Sequence, residues 1–275
     1  MNIVTGEKIQ QTCDIFLGNS YYFSYNPLIL NETSKHVYLD NINTSFDNPF
    51  KVFCYGDIID ILSKKIHLFK NKFILVTHNS DVDIINKPEM MHILNCEKLL
   101  KWYGQNICFE HAKLGFLPIG LANSHWPHGN LSLFNDNSFL QKMYIKSNKV
   151  YFNFTISTNV TKRELCYNSL INKLNWINNT DPINNLKRLQ TYEFCICPEG
   201  NGVDTHRLWE CLYLKVVPIV IKSDFTNILL KQGIPLYVLD SWSDLDINNL
   251  NYYTYDFNNI ELSYILNFSN YSNYI

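Results

Sequence analysis

Short apolar runs recur along the chain between longer mixed stretches, the rhythm expected of buried strands separated by helices. Lys51-Val52-Phe53-Cys54-Tyr55 reads as a strand, Asp57 to Phe69 as a helix opened by an aspartate cap, and Lys72-Phe73-Ile74-Leu75-Val76-Thr77 as the next strand. A helix is predicted from Glu89 to Trp102, short strands at Ile107-Cys108-Phe109 and Leu117-Pro118-Ile119-Gly120-Leu121, and a helix from Leu131 to Ile145. The rhythm then restarts. Val150-Tyr151-Phe152-Asn153-Phe154 reads as a strand, Lys162 to Trp176 as a helix, Asn178 to Asn185 as a polar connection, and Phe194-Cys195-Ile196-Cys197 as a buried strand. Arg207 to Lys215 holds no Gly or Pro and reads as helix, followed by a strand at Pro218-Ile219-Val220-Ile221, a helix near Phe225 to Lys231 and a strand at Leu236-Tyr237-Val238-Leu239. After a turn at Trp242–Asp244, a Tyr- and Asn-rich tail is expected to end in a helix. The pattern predicts an α/β protein of two Rossmann-like domains, residues 1–147 and 148–275, linked near Ser147-Asn148.

The loop from Pro198 to Thr205 carries the strongest chemical signal. It joins a strand to a helix, and Gly200 and Gly202 open backbone angles closed to other residues. Asp204 or Thr205 is placed to cap the helix, whose unpaired N–H groups and positive dipole end would face an anion; Glu199 and Asn201 complete the loop. Arg207 and Glu210 sit one turn apart on an otherwise apolar helix. An arginine fork suits a diphosphate, and the carboxylate could accept both hydroxyls of a ribose. The same spacing equally allows the two to pair with each other. Arg163, at the start of the helix predicted from Lys162, could reach the diphosphate from the opposite side or simply lie on a solvated helix end.

The run Cys197 to Val220, CPEGNGVDTHRLWECLYLKVVPIV, resembles the donor-site segment of exostosin-type glycosyltransferases: a Pro and Gly loop, an Arg, a Glu, and a turn into Pro-Ile-Val. That resemblance implies a GT-B architecture, two Rossmann-like domains facing across a cleft, with the C-terminal one holding the donor. It implies that Arg207 meets the diphosphate of a UDP- or GDP-sugar and that Glu210 meets its sugar or ribose. No tightly bound cofactor and no metal are expected. Lys215 and Val216 stand where the family usually has a glycine, and the motif covers under a tenth of the chain. The activity implied is transfer of a sugar to a glycan or other hydroxyl acceptor.

In an inverting enzyme of this kind, a base takes the acceptor proton while the nucleotide diphosphate leaves against the loop N–H groups and Arg207. His78 and Asp81, in Thr77-His78-Asn79-Ser80-Asp81-Val82-Asp83, are the first candidates for the base, with His125 and His128 of the next polar loop after them. A retaining enzyme would not need that base. Asp81 and Asp83 also make an Asp-x-Asp, the pattern by which GT-A enzymes hold a divalent metal, so a metal-dependent GT-A-like transferase is one alternative. A non-catalytic glycan- or nucleotide-binding protein on the same fold is another. Trp102, Tyr103 and Trp126 could form aromatic platforms for an acceptor sugar or anchor the core.

Composition narrows the field further. A net charge of -2 argues against nucleic-acid binding, which needs a basic surface. The eight cysteines lie mainly inside apolar runs, which favours reduced thiols, and Cys195-Ile196-Cys197 is too tight for the usual metal or redox spacing and reads as core packing. No apolar run is long enough to cross a bilayer, and the N-terminus lacks a signal-peptide form, which departs from the anchored exostosins and points to a soluble, cytoplasmic enzyme. High Asn, Ile, Lys and Tyr usage fits an AT-rich genome, such as a virus or protist. It also makes triplets such as Asn43-Thr44-Ser45 and Asn153-Phe154-Thr155 expected by chance. No GxGxxG follows a strand, and no Walker loop, GxSxG elbow or HExxH is present.

Overall fold

Runs rich in Val, Ile and Phe suit strands buried on both faces, and such strands pair in parallel with helices covering the sheet. The structure, a computed structural model, describes residues 2–25, 27–42 and 50–274, and Asn43-Thr44-Ser45 lies outside the described residues. It is an α/β protein with two parallel sheets. The chain divides into two compact units, an N-terminal one of Asn2–Ile119 joined by the tail from Asn267, and a C-terminal one of Gly120–Leu266. Among the described residues no helix is long and apolar enough to cross a membrane.

The N-terminal unit holds β1 (Ile15–Gly18), β2 (His36–Tyr38), β3 (Lys51–Tyr55), β4 (Phe73–His78), β5 (Leu99–Gly104) and β6 (Leu114–Phe116), in the order β2-β1-β3-β4-β5-β6. Register along β3 and β4 sets Cys54 opposite Thr77 and Tyr55 opposite His78. The helix expected over Glu89–Trp102 stops early: Pro88–Leu94 is helical, Asn95 ends it, and Leu99–Gly104 is instead a strand between β4 and β6. Buried Leu99, Trp102 and Tyr103 explain the difference, since a strand covered on both faces shows no helical stripe to contrast with it. The strand expected at Leu117–Leu121 falls earlier, at β6, because Pro118 lacks a donor and Gly120 takes a left-handed φ of 68°. Ile107 contributes only an isolated bridge to Ile84. The tail returns to this unit, where Phe268 N–H donates to Asn2 O at 2.9 Å.

The C-terminal unit is a sheet of β7 (Asn148–Tyr151), β8 (Tyr192–Ile196), β9 (Val217–Ile221) and β10 (Tyr237–Leu239), ordered β10-β9-β8-β7. Strand alternation sorts its side chains. Val150, Phe194, Ile196, Val217, Ile219 and Leu239 form one core with Cys166 and Leu170 of helix Val160–Leu170. Register sets Tyr151 opposite Cys195 and Cys195 opposite Pro218, so these residues belong to the other face. The connection read as polar over Asn178–Asn185 contains a helix, Pro182–Leu189, opened by Asp181, which accepts from Asn184 N–H at 3.0 Å, and by Pro182 in the first turn. The predicted helix over Leu131–Ile145 is a 3-10 turn at Ser132–Asn135 and a short helix at Asn137–Lys142.

The boundary between the units therefore precedes the linker expected near Ser147-Asn148, because Gly120 to Ser147 packs with the C-terminal sheet. His206 Nδ1 lies 2.8 Å from Gly120 O, and the Phe134 and Tyr213 rings meet at 5.9 Å. Lys146 Nζ donates at 2.8 Å to both Gln190 O and Leu214 O, tying together two helix ends.

Candidate functional site

The loop Pro198–Thr205 leaves β8 at the carboxyl edge of the four-stranded sheet and enters helix His206–Tyr213. Cys197 N–H donates to Ile219 O at 2.9 Å, extending the ladder by one residue, and Gly200 N–H closes a tight turn onto Gly202 O at 3.1 Å. Neither glycine is among the residues with positive φ, so the left-handed freedom expected of them is not used. Gly200 serves instead by lacking a Cβ, which would stand 3.3 Å from Arg163 Nη2. Thr205 occupies the N-cap position but makes no side-chain cap bond, and Asp204 accepts from the Trp209 indole N–H at 2.6 Å. The cap expected from one of these two is thus absent from Thr205, while Asp204 anchors the loop to the buried face of the helix.

Two arginines flank this loop. Arg163, 9% exposed, donates through Nε to Glu199 O at 2.9 Å and through Nη1 to Thr155 O at 2.7 Å, with its guanidinium over the Phe154 ring. Its Nη2, beside Gly200, has no hydrogen-bond partner among the described residues. Burial, then the charge of Arg207, holds Arg163 below its ordinary range. Arg207 donates through Nε to Glu210 Oε2 at 3.0 Å and through Nη1 to Asn153 O at 2.7 Å, and lies over the Tyr151 ring. Burial is the largest influence and works against the Arg207 charge, but Glu210 together with Cys195, Tyr151 and Cys211 more than offsets it and the pKa is raised. Of the two readings the spacing allowed, pairing of Arg207 with Glu210 is the one the structure displays.

Around Arg207 lie buried polar atoms without partners. Among the described residues the Tyr151 hydroxyl and Asn153 Oδ1 make no hydrogen bond, although Asn153 Nδ2 donates to Ile177 O and Asn179 Oδ1. Such groups carry a desolvation cost that a polar ligand would relieve. Burial pushes the Tyr151 phenol up to about 12, against the pull of Arg207. Fully buried Asn153 is also closed to glycosylation at its Asn-x-Thr triplet.

On the other side of the loop a cavity of about 350 Å³ opens at the same carboxyl edge. The loop contributes Cys197, Pro198, Glu199, Val203 and Thr205, and β9 contributes Val220 and Ile221; Phe225 and Trp242 supply aromatic walls. Lys162 pairs with Glu199 at the rim, and Asp240 pairs with Lys222 at 3.6 Å. Sequence reasoning missed Trp242, Phe225 and Asp240 because they follow β9 and β10, far from the motif. Arg207 and Glu210 are not among the lining residues.

The predicted base candidates divide between the units. His78 and Asp81 belong to the N-terminal unit, His128 and the Pro198–Thr205 loop to the C-terminal one. Buried His78 accepts from Asn79 N–H at Nδ1 at 2.9 Å, which places its proton on Nε2, facing Pro118 O at 3.0 Å. As it stands, His78 is tethered at both ring nitrogens rather than open as a base. Asp81 is exposed, and neither Asp81 nor Asp83 belongs to the one group of three potential metal ligands found among the described residues. His128 is exposed, with its ring 5.8 Å from His206 at the start of the loop helix and 6.2 Å from Trp126. Trp102 is core rather than platform: it is fully buried and its indole N–H donates to Thr77 Oγ1 at 2.8 Å.

Comparison with known proteins returns no match, either to a family model or to a characterised protein.

Proposed function

We propose that the protein is a glycosyltransferase of GT-B type that takes a nucleotide-diphosphate sugar on its C-terminal unit and transfers the sugar to a glycan or other hydroxyl acceptor. The observation that carries the reading is the 350 Å³ cavity at the carboxyl edge of a parallel sheet, bounded by the glycine-containing loop. Ligands of open α/β sheets bind outside the carboxyl ends of the strands, and this volume falls within the range of small-molecule sites. The apolar and aromatic lining suits a base and ribose. The diphosphate would then rest on the loop, against the N-terminal end of helix His206–Tyr213 and Arg163 Nη2. Arg207 contributes positive charge and holds Glu210, and its role toward the anion is one of placement. In the C-terminal unit His128 is the exposed imidazole nearest the loop helix, and it is the base we assign if transfer inverts.

One observation favours a second reading, donor binding without transfer. The histidine first expected to act as base, His78, has both nitrogens engaged. Calorimetric titration of nucleoside diphosphates and their sugars, with and without chelator, separates the possibilities. Binding of one nucleotide that survives chelation and weakens in Arg163→Ala supports the donor site, and turnover with hydroxyl acceptors then distinguishes transferase from binder. Metal-dependent binding that is lost in Asp81→Asn would move the site to the Asp-x-Asp, and absence of binding to any nucleotide would refute the proposal.

A further inference from the structure

We propose that Cys195, Cys197 and Cys211 form a binding site for one thiophilic divalent cation of the zinc class. In sequence the first two are too close for the usual chelating pair, and the third lies on a different element. Folding changes that. Strand alternation turns Cys195 and Cys197 to the same face, and helix His206–Tyr213 crosses that face with Cys211 one turn beyond Arg207. The three sulfurs lie within 4.8 Å of one another, with Cys197 Sγ and Cys211 Sγ 3.7 Å apart, and all three residues are buried.

That spacing is close to what an ion needs. Two thiolates bound to zinc at ~2.3 Å and the tetrahedral angle stand about 3.8 Å apart, so the pair requires almost no movement. A disulfide would instead require closure to about 2.05 Å. Three thiolates exceed the charge of a divalent cation by one, and Arg207, one turn before Cys211 on the same helix, supplies a positive neighbour whose charge acts on Cys195. Soft sulfur donors select zinc or related ions over magnesium or calcium. Cys197 is also among the residues that line the 350 Å³ cavity. Three protein ligands with one open position is the pattern of an exchangeable rather than a closed zinc site. An ion here would clamp the start of the loop to the helix that carries Arg207 and Glu210.

The test uses the reduced full-length chain. Zinc is titrated against a chromophoric chelator, cobalt replaces it for absorption spectroscopy, and the zinc-loaded protein is measured by X-ray absorption. We expect one equivalent of zinc, a thiolate-to-cobalt charge-transfer band, and about three sulfur neighbours at ~2.3 Å. The variant Cys96→Ser/Cys108→Ser, which removes the two partly exposed cysteines outside the cluster, should keep all three signals. Cys211→Ser should weaken zinc binding at least about a hundredfold. The first readouts need no variant, so a misfolded Cys211→Ser would leave the test intact. Absence of stoichiometric zinc, a spectrum with only nitrogen and oxygen neighbours, loss of the signals in Cys96→Ser/Cys108→Ser, or a Cys197–Cys211 disulfide in the isolated protein would each overturn the proposal.

Discussion

Arg207 Nε donates to Glu210 Oε2 at 3.0 Å across one helical turn, and the same guanidinium reaches Asn153 O, two residues beyond β7, 2.7 Å away. The side chains are 22% and 14% exposed, so the pair fastens the loop helix to a neighbouring strand in a largely dry setting. The arrangement makes Arg207 a brace as well as a charge. Removing it leaves a mostly buried carboxylate unpaired and a carbonyl without its donor.

The first prediction follows from that brace. Arg207→Ala should destabilise the protein by about 3 kcal/mol in urea unfolding, and the double variant Arg207→Ala/Glu210→Ala by less than the sum of the singles. Donor affinity should fall in Arg207→Ala with little recovery in Arg207→Lys, because the ammonium lacks the fork. A change in stability within about 0.5 kcal/mol, the range of an ordinary surface substitution, would remove the bracing role.

A second prediction concerns the turn after the helix. Lys215 adopts a left-handed φ of 53°, a conformation that favours glycine. Its strain is offset by three contacts: Nζ donates to Asn258 Oδ1 at 2.8 Å and lies 4.5 Å from the Tyr144 ring, and its carbonyl accepts from the Tyr252 hydroxyl at 2.7 Å. Lys215→Gly should therefore be close to neutral, and Lys215→Val should cost about 1–2 kcal/mol through the left-handed penalty. Equal midpoints for the two variants in thermal unfolding would count against this account.

The strands β3, β4, β8 and β9 were legible because each is a continuous apolar run, and the loop helix because nothing in Arg207–Lys215 breaks it. Strand β5 was not, since Cys96 to Tyr103 mixes charged and apolar residues with a period that suits helix or strand alike, and only pairing between β4 and β6 decides it. The early strands β1 and β2 are four and three residues long and too short to register as periodic. At the site, the motif placed the loop correctly at a strand-to-helix junction. It could not reveal that Arg207 faces Asn153 and Tyr151 while the cavity lies on the other side of the loop, because that choice depends on which strand neighbours β8 on each side. The thiol cluster was hidden for the same reason: Cys211 joins Cys195 and Cys197 only once the helix folds over the sheet.

A third prediction is a pH effect. Burial pulls Lys146 down to about 7, from an ordinary value near ~10.4 in the unfolded chain. Between those values the unfolded chain holds more protons than the folded one, so this residue's contribution to stability rises with pH and is lost as pH falls toward 7. Lys146→Met abolishes the titration. Urea midpoints of wild type relative to Lys146→Met should climb between about pH 7 and 10, and a constant difference would show that Lys146 remains charged on its two carbonyl partners.

The last prediction addresses where a nucleoside would sit. Val220 lies on β9 at the wall of the cavity and is itself 4% exposed. Val220→Phe directs a ring into space that is already open. The variant should keep its unfolding temperature or gain slightly, since filling a void adds contacts that overpacking a full core would not. Nucleoside diphosphate affinity should fall at least about tenfold, roughly 1.4 kcal/mol, because ring and base compete for one volume. If affinity holds while the fold is intact, the nucleoside lies outside this cavity, and the side of the loop carrying Arg207, Asn153 and Tyr151 becomes the place to look. Its orphaned Asn153 Oδ1 and Tyr151 hydroxyl then supply the next pair of substitutions, Asn153→Leu and Tyr151→Phe, each expected to weaken binding without the bulk effect of a new ring.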